Sequence, residues 1–433
     1  MEKFVIQGGL PLSGEVTPAG NKNAALPILA ACLLTDEELV LGNVPRIRDV
    51  DSQLELLEAL GVKVHRADDH TVRLQADSVG GTEVAEGPAS RIRASFLAAG
   101  PLLSRFGKAK MPPPGGDTIG RRRLDPHLDA FEDLGAKVGG DTWIEITAPS
   151  GGLRPGRIFM DEPSVMGTEN ALLAAALIPG ETVIANAASE PHVQDLARLL
   201  TKMGATVEGV GSNVMTVHGR DKLGGAEHRI SPDHIEIASF MALAAATKGE
   251  IRIHDVISDD LDCIRRNFRR IGLQTILEDS DLVVPPEQKL VIRDDQGDAI
   301  PKIDDGPWPA FPADLTSIAL ALATQAEGTI LIFEKMFENR LFFVDKLVSM
   351  GARITLCDPH RAIVSGPSRL HGERVESPDI RAGMAMLIAA LAADGQSEIG
   401  NIVQIDRGYE QIDRRLRDLG ADIERVATEP VSV

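Results

Sequence analysis

Aromatic side chains and cysteines are scarce in this chain, and each shortage limits what the protein can be. Only 3% of the 433 residues are aromatic whereas 43% are hydrophobic, so aliphatic side chains must build the cores. The three cysteines, Cys32, Cys263 and Cys357, form no CxxC pair and cannot all be paired with one another. This usage is typical of a reducing compartment, and we interpret all three as structural.

An excess of positive charge and long apolar runs are also missing. The chain has 45 Lys and Arg against 64 Asp and Glu, a net charge of −19, which argues against nucleic acid or an anionic membrane as a partner. The N-terminus lacks the apolar core of a signal peptide, and the longest apolar stretches, such as residues 24–34, fall short of a membrane span. We therefore expect a cytoplasmic protein whose anionic ligands, if any, are held by local basic clusters. Nothing implies an obligate protein partner.

A short motif, an apolar residue followed by glycine, recurs six times at the junction of a helix-like and a β-rich segment. The glycines lie 68 to 79 positions apart; they are Gly61, Gly135, Gly204, Gly272, Gly351 and Gly420. Glycine at the end of a helix adopts a positive φ without a β-carbon penalty, and the residues that follow favour a strand. Six copies indicate a repeated α/β unit.

Segments rich in alanine and leucine also occur six times and have no polar face. They are residues 23–34, 94–103, 168–178, 235–246, 315–324 and 382–393. Such segments predict helices that are buried nearly all round. Since one core rarely grows beyond about 250 to 300 residues, six units divide into two lobes of three, with the main crossover near residues 230–233.

The residues that open these buried helices are unusually polar, and helix N-termini present unpaired N–H groups to anions. If the repeats are pseudo-symmetric, the openings point to common places. The charged residues that would then converge on one cleft are Lys22, Arg93, Asp233, Asp314 and Arg381. Asp is also a frequent N-cap, so Asp233 and Asp314 have an alternative interpretation as ordinary helix caps.

A loop at residues 112–123 is rich in proline and glycine and ends in three arginines. It predicts a mobile lid with phosphate ligands, since guanidinium groups bind phosphate in bidentate fashion; the alternative is a solvated charge run. Asp125, His127 and Asp129 alternate just beyond it. Without a cysteine or a further histidine nearby, we predict no metal there.

Six motifs give the chain a resemblance to a known family, and together they are highly specific. They are GNKNAALP at residues 20–27, RAS at 93–95, PGGDTIG at 114–120, FPAD at 311–314, FENR at 337–340 and IDRGYE at 405–410. Over nearly its whole length the chain resembles the enolpyruvyl transferases. The resemblance implies an α/β fold with an inside-out α/β barrel in each of two domains, three repeats in each. It places the N-terminal domain at 22–231 with the mobile loop, the C-terminal domain at 1–21 plus 232–433, and the active site in the interdomain cleft.

The activity that the resemblance implies is transfer of the enolpyruvyl group of phosphoenolpyruvate to the 3-hydroxyl of UDP-N-acetylglucosamine, with release of phosphate. This would be the first committed step of peptidoglycan precursor synthesis. Neither a metal nor an organic cofactor is implied. Both substrates are anionic, which agrees with the local clusters of cationic side chains.

The resemblance also assigns roles to individual residues. Asp314 is the expected general base and Asp117 the expected proton donor of the loop, with Lys22 and Arg407 as further catalytic groups. The residues expected to bind phosphoenolpyruvate are Lys22, Asn23, Arg122, Arg340, Arg381 and Arg407. Those expected to bind the nucleotide sugar are Asn23, Arg93, Arg122, Arg123, Leu124, Asp125, Pro126, Glu162, Pro163, Ser164, Val165, Asp314 and Met336.

Four positions depart from the pattern of the family. Asp117 stands where cysteine is usual, Met166 replaces the glycine of a Ser-Val-Gly motif, Glu162 stands where a basic residue is common, and Gln404 replaces a histidine. An acidic Glu162 beside a diphosphate would be repulsive. Two alternatives therefore stay open: an enolpyruvyl transferase with another nucleotide or nucleotide-sugar acceptor, and a catalytically silent nucleotide-sugar sensor. A shikimate-pathway acceptor fits the nucleotide-sugar motifs less well.

Asp117 generates a first prediction. Fosfomycin is an epoxide that alkylates the loop thiol of the family, and this chain carries a carboxyl group at that position. We expect no covalent inactivation when the protein is incubated with fosfomycin and its intact mass is measured. Rapid formation of a covalent adduct would refute the prediction.

Overall fold

The computed structural model describes residues 2–427 as short strands and short helices that alternate along the chain. The strands are β1 (Glu2–Gln7), β2 (Gly14–Val16), β3 (Leu39–Gly42), β4 (Lys63–Arg66), β5 (Val72–Gln75), β6 (Lys108–Met111), β7 (Lys137–Gly139), β8 (Ile144–Thr147), β9 (Arg157–Phe159), β10 (Gly180–Ala185), β11 (Thr206–Glu208), β12 (Val214–Gly219), β13 (Ala226–Arg229), β14 (Ile251–Ile253), β15 (Ile276–Glu278), β16 (Asp281–Val284), β17 (Lys302–Asp304), β18 (Gly328–Phe333), β19 (Ile354–Asp358), β20 (Arg361–Gly366), β21 (Arg374–Glu376), β22 (Gln396–Gly400) and β23 (Asp422–Ala427). The α-helices are α1 (Lys22–Ala30), α2 (Arg48–Ala59), α3 (Glu86–Ala89), α4 (Ala99–Phe106), α5 (Asp125–Asp133), α6 (Val165–Ala176), α7 (Pro191–Met203), α8 (His234–Ala246), α9 (Asp262–Phe268), α10 (Thr316–Ala323), α11 (Val344–Ser349), α12 (Ile380–Ala392) and α13 (Ile412–Asp418). Short 3-10 turns lie at Ala31–Leu34, Arg93–Ala98, Ser258–Leu261, Arg269–Ile271, Ala313–Leu315 and Ile405–Arg407.

The chain divides into two compact units. The N-terminal unit comprises Gly20–Asp117 and Arg122–Ser231, and the C-terminal unit comprises the described residues of Met1–Ala19, Thr118–Arg121 and Pro232–Val433. Each unit has its own hydrophobic core. The sequence-based boundaries put the whole arginine-rich loop in the N-terminal domain, whereas Thr118–Arg121 packs with the C-terminal unit.

The six predicted buried helices are all present, and they form the centres of the two cores. In α8 every residue from His234 to Ala246 is buried, because no face of this helix is polar. Three of the six are less regular than predicted. Helix α1 continues into the 3-10 turn Ala31–Leu34, whereas α4 and α10 are preceded by the 3-10 turns Arg93–Ala98 and Ala313–Leu315.

Within residues 2–427, six sheets pack around these helices, and five of them share one topology. In five of them a strand pairs in parallel with a second strand, which pairs antiparallel with a third, which pairs antiparallel with a fourth. The strand orders are β13-β3-β5-β4, β9-β10-β12-β11, β2-β14-β16-β15, β17-β18-β20-β19 and β21-β22-β1-β23. The sixth sheet, β6-β8-β7, has three strands, and its parallel neighbour is reduced to a single bridge between Glu83 and Lys110. Six equivalent sheets confirm the six repeats.

The six repeat glycines all have a positive φ, between 93° and 115°, as predicted from their place after a helix. At Gly272 a β-carbon would also lie only 2.4 Å from the backbone nitrogen of Val291. Glycine is therefore required at this position for both its conformation and its lack of a side chain.

The first two strands belong to the C-terminal unit. β1 lies between β22 and β23 and pairs antiparallel with both, and β2 pairs in parallel with β14. Phe4 on β1 is fully buried, and the guanidinium of Arg425 on β23 lies 5.0 Å from the centre of its ring. Strand β1 therefore completes the hydrophobic core of the C-terminal unit.

This arrangement yields a stability prediction for neighbouring positions on β1. Phe4→Ala should destabilise the C-terminal unit by about 3–5 kcal/mol, because it removes a buried aromatic ring and leaves a cavity. Lys3→Ala serves as the control: its ammonium forms only a partly exposed ion pair with Glu398 at 2.8 Å, so about 1 kcal/mol or less is expected. Urea unfolding followed by circular dichroism measures both. Equal effects of the two substitutions would contradict the prediction.

Candidate active site

A buried charge cluster in the C-terminal unit is centred on Asp314. Its Oδ1 accepts a hydrogen bond from Nη2 of Arg340 at 2.6 Å, and its Oδ2 accepts bonds from Nε and Nη2 of Arg381 at 3.0 and 2.9 Å. The side chains of Arg340 and Arg381 are 4% and 3% exposed, whereas that of Asp314 is 27% exposed. Two guanidinium groups therefore hold the carboxylate of Asp314 and stabilise its negative charge, while its side chain remains partly exposed.

The alternative interpretation of the acidic helix openings as N-caps is right for one residue and wrong for the other. Asp233 caps α8, and its side chain accepts the backbone N–H groups of Ile235 and Glu236. Asp314 lies inside the 3-10 turn Ala313–Leu315, so it is neither the N-cap of that turn, which is Pro312, nor the N-cap of α10, which is Leu315. The prolines of the preceding loop fix the approach to this turn, and the Asp314 carboxylate is left for the arginines.

Arg381 is held in place by the helix start and by an aromatic ring. Asp379 caps α12 and accepts the backbone N–H of Arg381 at 2.8 Å. The guanidinium of Arg381 lies 5.4 Å from the ring centre of Tyr409, whose hydroxyl is 3.0 Å from the Ser239 hydroxyl. Burial alone would lower the pKa of Arg381, but the charge of Asp314 raises it above the usual range. Arg381 is thus a permanent cation.

His234 opens α8 beside the same cluster. Burial lowers its pKa to about 4, and the positive charge of Arg381 lowers it as well, against the opposing effect of Asp314. Its ring packs edge-on against Trp308, with 5.9 Å between the ring centroids. The imidazole is therefore neutral at physiological pH and adds no charge to the cluster.

Arg407 lies in the 3-10 turn Ile405–Arg407, and its neighbours on that turn hold it. Its Nη1 donates to Oε1 of Gln404 at 2.9 Å, so the residue that departs from the family pattern bonds the expected phosphoenolpyruvate ligand directly. The adjacent Asp406 is bound by both terminal nitrogens of Arg425 at 2.9 and 2.8 Å. Arg425 therefore ties this turn to β23.

Two further predicted residues begin the first helix of the N-terminal unit. Asn21 caps α1, and Lys22 and Asn23 are its first two residues. The ammonium of Lys22 lies 3.0 Å from Oδ2 of Asp49, and the two side chains are 11% and 6% exposed. The carboxylate of Asp49 thus fixes the lysine at the helix opening.

The two segments predicted to bind the nucleotide sugar lie side by side in the N-terminal unit. Arg123 bonds Asp161 at 2.8 Å and Asp125 at 3.2 Å, which joins the segment 122–126 to the residues just before Glu162. Ser164 caps α6 through the N–H of Gly167, where an added β-carbon would lie 3.1 Å from Cβ of Pro126. The remaining members, Leu124, Pro163 and Val165, are partly buried, whereas Glu162 is exposed.

Arg93 secures the start of the arginine-rich segment. Its Nη2 donates to the carbonyl oxygens of Arg122 and Arg123, the second at 3.3 Å. Burial, together with the smaller effect of the neighbouring charge of Arg122, lowers the pKa of Arg93 to about 10. Arg123 forms two exposed ion pairs, Arg122 is tied to Arg93 through its backbone carbonyl, and Arg121 is exposed.

The loop that carries the expected proton donor is attached at both sides of Asp117. On one side the N–H of Gly115 donates to the carbonyl of Ala89 at 3.1 Å. On the other side, residues 118–121 dock on the FENR segment at 337–340. The N–H of Asn339 donates to Ile119 O at 3.0 Å, and the N–H of Arg121 donates to Oε2 of Glu338 at 3.1 Å. Asp117 itself is half-buried between these attachments.

The alternating residues Asp125, His127 and Asp129 do not come together. His127 is buried, its Nδ1 lies 2.8 Å from the side-chain nitrogen of Asn170, and its ring packs edge-on against Phe96. Asp125 and Asp129 are exposed. Over residues 2–427, no group of three His, Cys, Asp or Glu side chains has an arrangement that could hold a metal ion.

Several residues of these clusters were not predicted from the sequence. They are Asp49, Asp161, His234, Glu338, Tyr409 and Arg425. Glu338 and Tyr409 lie within motifs that carry the family resemblance, which is a signal that could have identified them. Asp49 and Asp161 act through distant partners, and nothing in their local sequence distinguishes them from surface acids.

Comparison with known proteins gives the family. The family model described as EPSP synthase (3-phosphoshikimate 1-carboxyvinyltransferase) matches residues 6–416. The chain belongs to this family of enolpyruvyl transferases. A relative from Treponema denticola named UDP-N-acetylglucosamine 1-carboxyvinyltransferase is 54% identical, with 98% of this chain and 99% of the relative covered. A relative of the same name from Bradyrhizobium diazoefficiens is also 54% identical, with 98% of both covered.

A solved structure supports the same conclusion for the fold. The enolpyruvyl transferase NikO from Streptomyces tendae is 25% identical, superposes with a TM-score of 0.88 and covers 99% of each chain. The predicted fold class, two inside-out α/β barrels with three repeats each, is confirmed. In the part of the enolpyruvyl transferase that the structure describes, no helix has both the length and the apolar character needed to cross a membrane.

The docking of the loop gives a prediction for Glu338. Glu338→Ala removes the acceptor of the Arg121 N–H, so amide hydrogen exchange in residues 118–121 should rise several-fold, measured by mass spectrometry. Asn339→Ala is the control, because it deletes only a 3.5 Å side-chain contact to Thr118 O and keeps the backbone bond to Ile119. Unchanged exchange in Glu338→Ala would show that its carboxylate does not hold the loop.

Proposed function

We propose that this protein is a UDP-N-acetylglucosamine 1-carboxyvinyltransferase. It transfers the enolpyruvyl group of phosphoenolpyruvate to the 3-hydroxyl of UDP-N-acetylglucosamine and releases phosphate, the first committed step of peptidoglycan precursor synthesis. The observation that carries this proposal is the 54% identity, over 98% of the chain, to relatives of that name. The charge clusters of both units support the chemistry.

Asp314 fits the role of the general base. Both of its oxygens are held by guanidinium groups, and its side chain is 27% exposed, so it can accept the proton of the sugar hydroxyl without a change of rotamer. The hydroxyl oxygen then bonds to C2 of phosphoenolpyruvate while Asp117, in its acid form, protonates C3. The tetrahedral intermediate loses a proton from C3, the C2–O bond to phosphate breaks, and the enol ether remains.

The anionic groups of phosphoenolpyruvate require several cations. Arg381 and Arg340 are fixed beside Asp314, and Arg407 is aligned by Gln404. Lys22 and Arg122 complete the proposed set of cations. Pre-positioned cations stabilise the charge of the tetrahedral intermediate because they need no reorganisation during the reaction.

The nucleotide sugar is proposed to bind along segments 122–126 and 162–165, with Asn23, Arg93 and Met336. Glu162 is compatible with a diphosphate because it is exposed and its carboxylate can remain in solvent. Ser164 begins α6, and a helix N-terminus favours phosphate oxygens. The free cysteines Cys32, Cys263 and Cys357 fit a cytoplasmic location for the reaction.

Phosphate release from phosphoenolpyruvate tests this function directly. We expect release with UDP-N-acetylglucosamine and not with UMP or shikimate 3-phosphate as acceptor. The variant Asp117→Asn keeps the shape of the loop but lacks the acidic proton, so turnover should fall at least 100-fold.

Each other outcome is informative. Release with only another acceptor would establish an enolpyruvyl transferase of different specificity, whereas no release with any acceptor would favour a nucleotide-sugar sensor. Wild-type turnover in Asp117→Asn would refute the role of Asp117 as proton donor.

A further inference from the structure

Behind the Asp314 cluster, two carboxyl groups are buried together in the C-terminal unit. Glu334 follows β18 directly and is 0% exposed, and Asp305 follows β17 directly and is 1% exposed. Because β17 and β18 pair in parallel, both side chains emerge at the same end of the sheet. Glu334 lies beside the carboxyl of Asp305 and the hydroxyl of Thr316.

Backbone N–H groups bond to both carboxyls, but no cation forms a salt bridge with them. Asp305 accepts the N–H of Lys335 and, at 3.4 Å, that of Met336, while Glu334 accepts the N–H of Phe337 at 3.1 Å. Within residues 2–427, neither carboxyl is part of an ion pair. The ammonium of Lys335 lies 2.6 Å from Asp304 instead.

The charged and titratable groups around Glu334 come from each element that packs on it. They are Asp305 after β17, Arg340 before α11, His360 between β19 and β20, and Lys335 next in sequence; Asp314 before α10 is linked to this set through its bond to Arg340. His360 meets only the backbone of Glu334: its Nδ1 lies 2.7 Å from Glu334 O. Arg340 is the one cation in this set that acts on the carboxyl, and it is bonded to Asp314.

Two buried carboxyls without a cation of their own cannot both be ionised at low cost. Burial, together with the hydrogen bond and the charge of Asp305, raises the pKa of Glu334 to about 9, and Arg340 lowers it only in part. At neutral pH Glu334 therefore keeps its proton. If Glu334 were also ionised, its carboxylate would compete with that of Asp314 for the guanidinium of Arg340.

We propose that Glu334 is a positioning residue that stays protonated during turnover. The guanidinium of Arg340 then remains bonded to Asp314 and available to the substrate, instead of pairing with a carboxylate of Glu334. This inference deepens the proposed function and rests on it for the role of Asp314. Glu334 itself is fully buried and is not expected to touch the substrate. Its loss of the proton at alkaline pH draws Arg340 away from Asp314 and reduces kcat.

The pH dependence of kcat in two variants tests the proposal. Glu334→Gln copies the protonated form, so it should keep at least half of the wild-type kcat at pH 7 and retain activity several-fold better than wild type above pH 9. Asp305→Asn removes the neighbouring negative charge, which eases ionisation of Glu334, so its alkaline decline should begin at lower pH. Glu327→Gln changes an exposed carboxyl at the start of the same strand and should follow the wild-type profile. Identical alkaline profiles for wild type and Glu334→Gln would overturn the proposal.

Thermal unfolding provides a readout that does not need enzyme activity. An acid whose pKa is raised from 4.5 to about 9 by folding binds its proton more tightly when folded, so it reduces stability as pH rises across that window. The Tm of Glu334→Gln relative to wild type should therefore rise between pH 5 and pH 9. A constant difference would overturn the buried proton. If the Tm difference shows the expected trend but no phosphate is released with any acceptor, the protonation of Glu334 is supported and the proposed function is refuted.

If Glu334→Gln does not fold, infrared spectroscopy of the wild type replaces it. The carbonyl band of a protonated carboxylic acid should persist at pH 8 and disappear above pH 9, and it should be absent at pH 8 in Asp305→Asn if that variant ionises earlier. Absence of the band in the wild type at pH 7 would overturn the proposal.

Discussion

The structure depends on one constraint, which is the burial of six helices that have no polar face. Each of these helices must be surrounded by apolar surface, and that surface comes from neighbouring helices together with the three or four short strands of a sheet. Most charged side chains of these helices then lie near the helix ends. The same constraint that orders the fold therefore also collects the polar residues at the openings of α1, α8 and α12.

The charge cluster in the C-terminal unit shows how buried ions are made tolerable. Arg340 and Arg381 are almost fully buried, and removal from water is costly for a cation unless an anion lies in contact with it. Asp314 supplies the contact for both. The arrangement holds the carboxylate more rigidly than a surface pair would, and a general base needs such rigidity to meet a substrate hydroxyl at a fixed distance.

Periodicity and glycine placement were enough to predict the six repeats, because burial and positive φ leave direct marks on local sequence. The 3-10 turns within three of the buried helices left no such mark, since they depend on packing. For the candidate site, the arginines and Asp314 were identified through motifs, whereas the partners of Lys22 and Arg123 were not. Asp49 and Asp161 look like ordinary surface acids until folding brings them to Lys22 and Arg123. Glu334 looks equally ordinary, because its protonation depends on burial and on Asp305, which follows another strand.

The place of β1 in the middle of the last sheet has a consequence for synthesis of the chain. Glu2 on β1 and Arg425 on β23 are hydrogen-bonded across 423 positions of sequence. On the ribosome, the N-terminal unit is fully made once Ser231 has emerged, whereas β1 has no partner strand until β22 and β23 are translated. Strand β1 is therefore translated long before its native neighbours, and it must stay unpaired and unaggregated while the N-terminal unit folds.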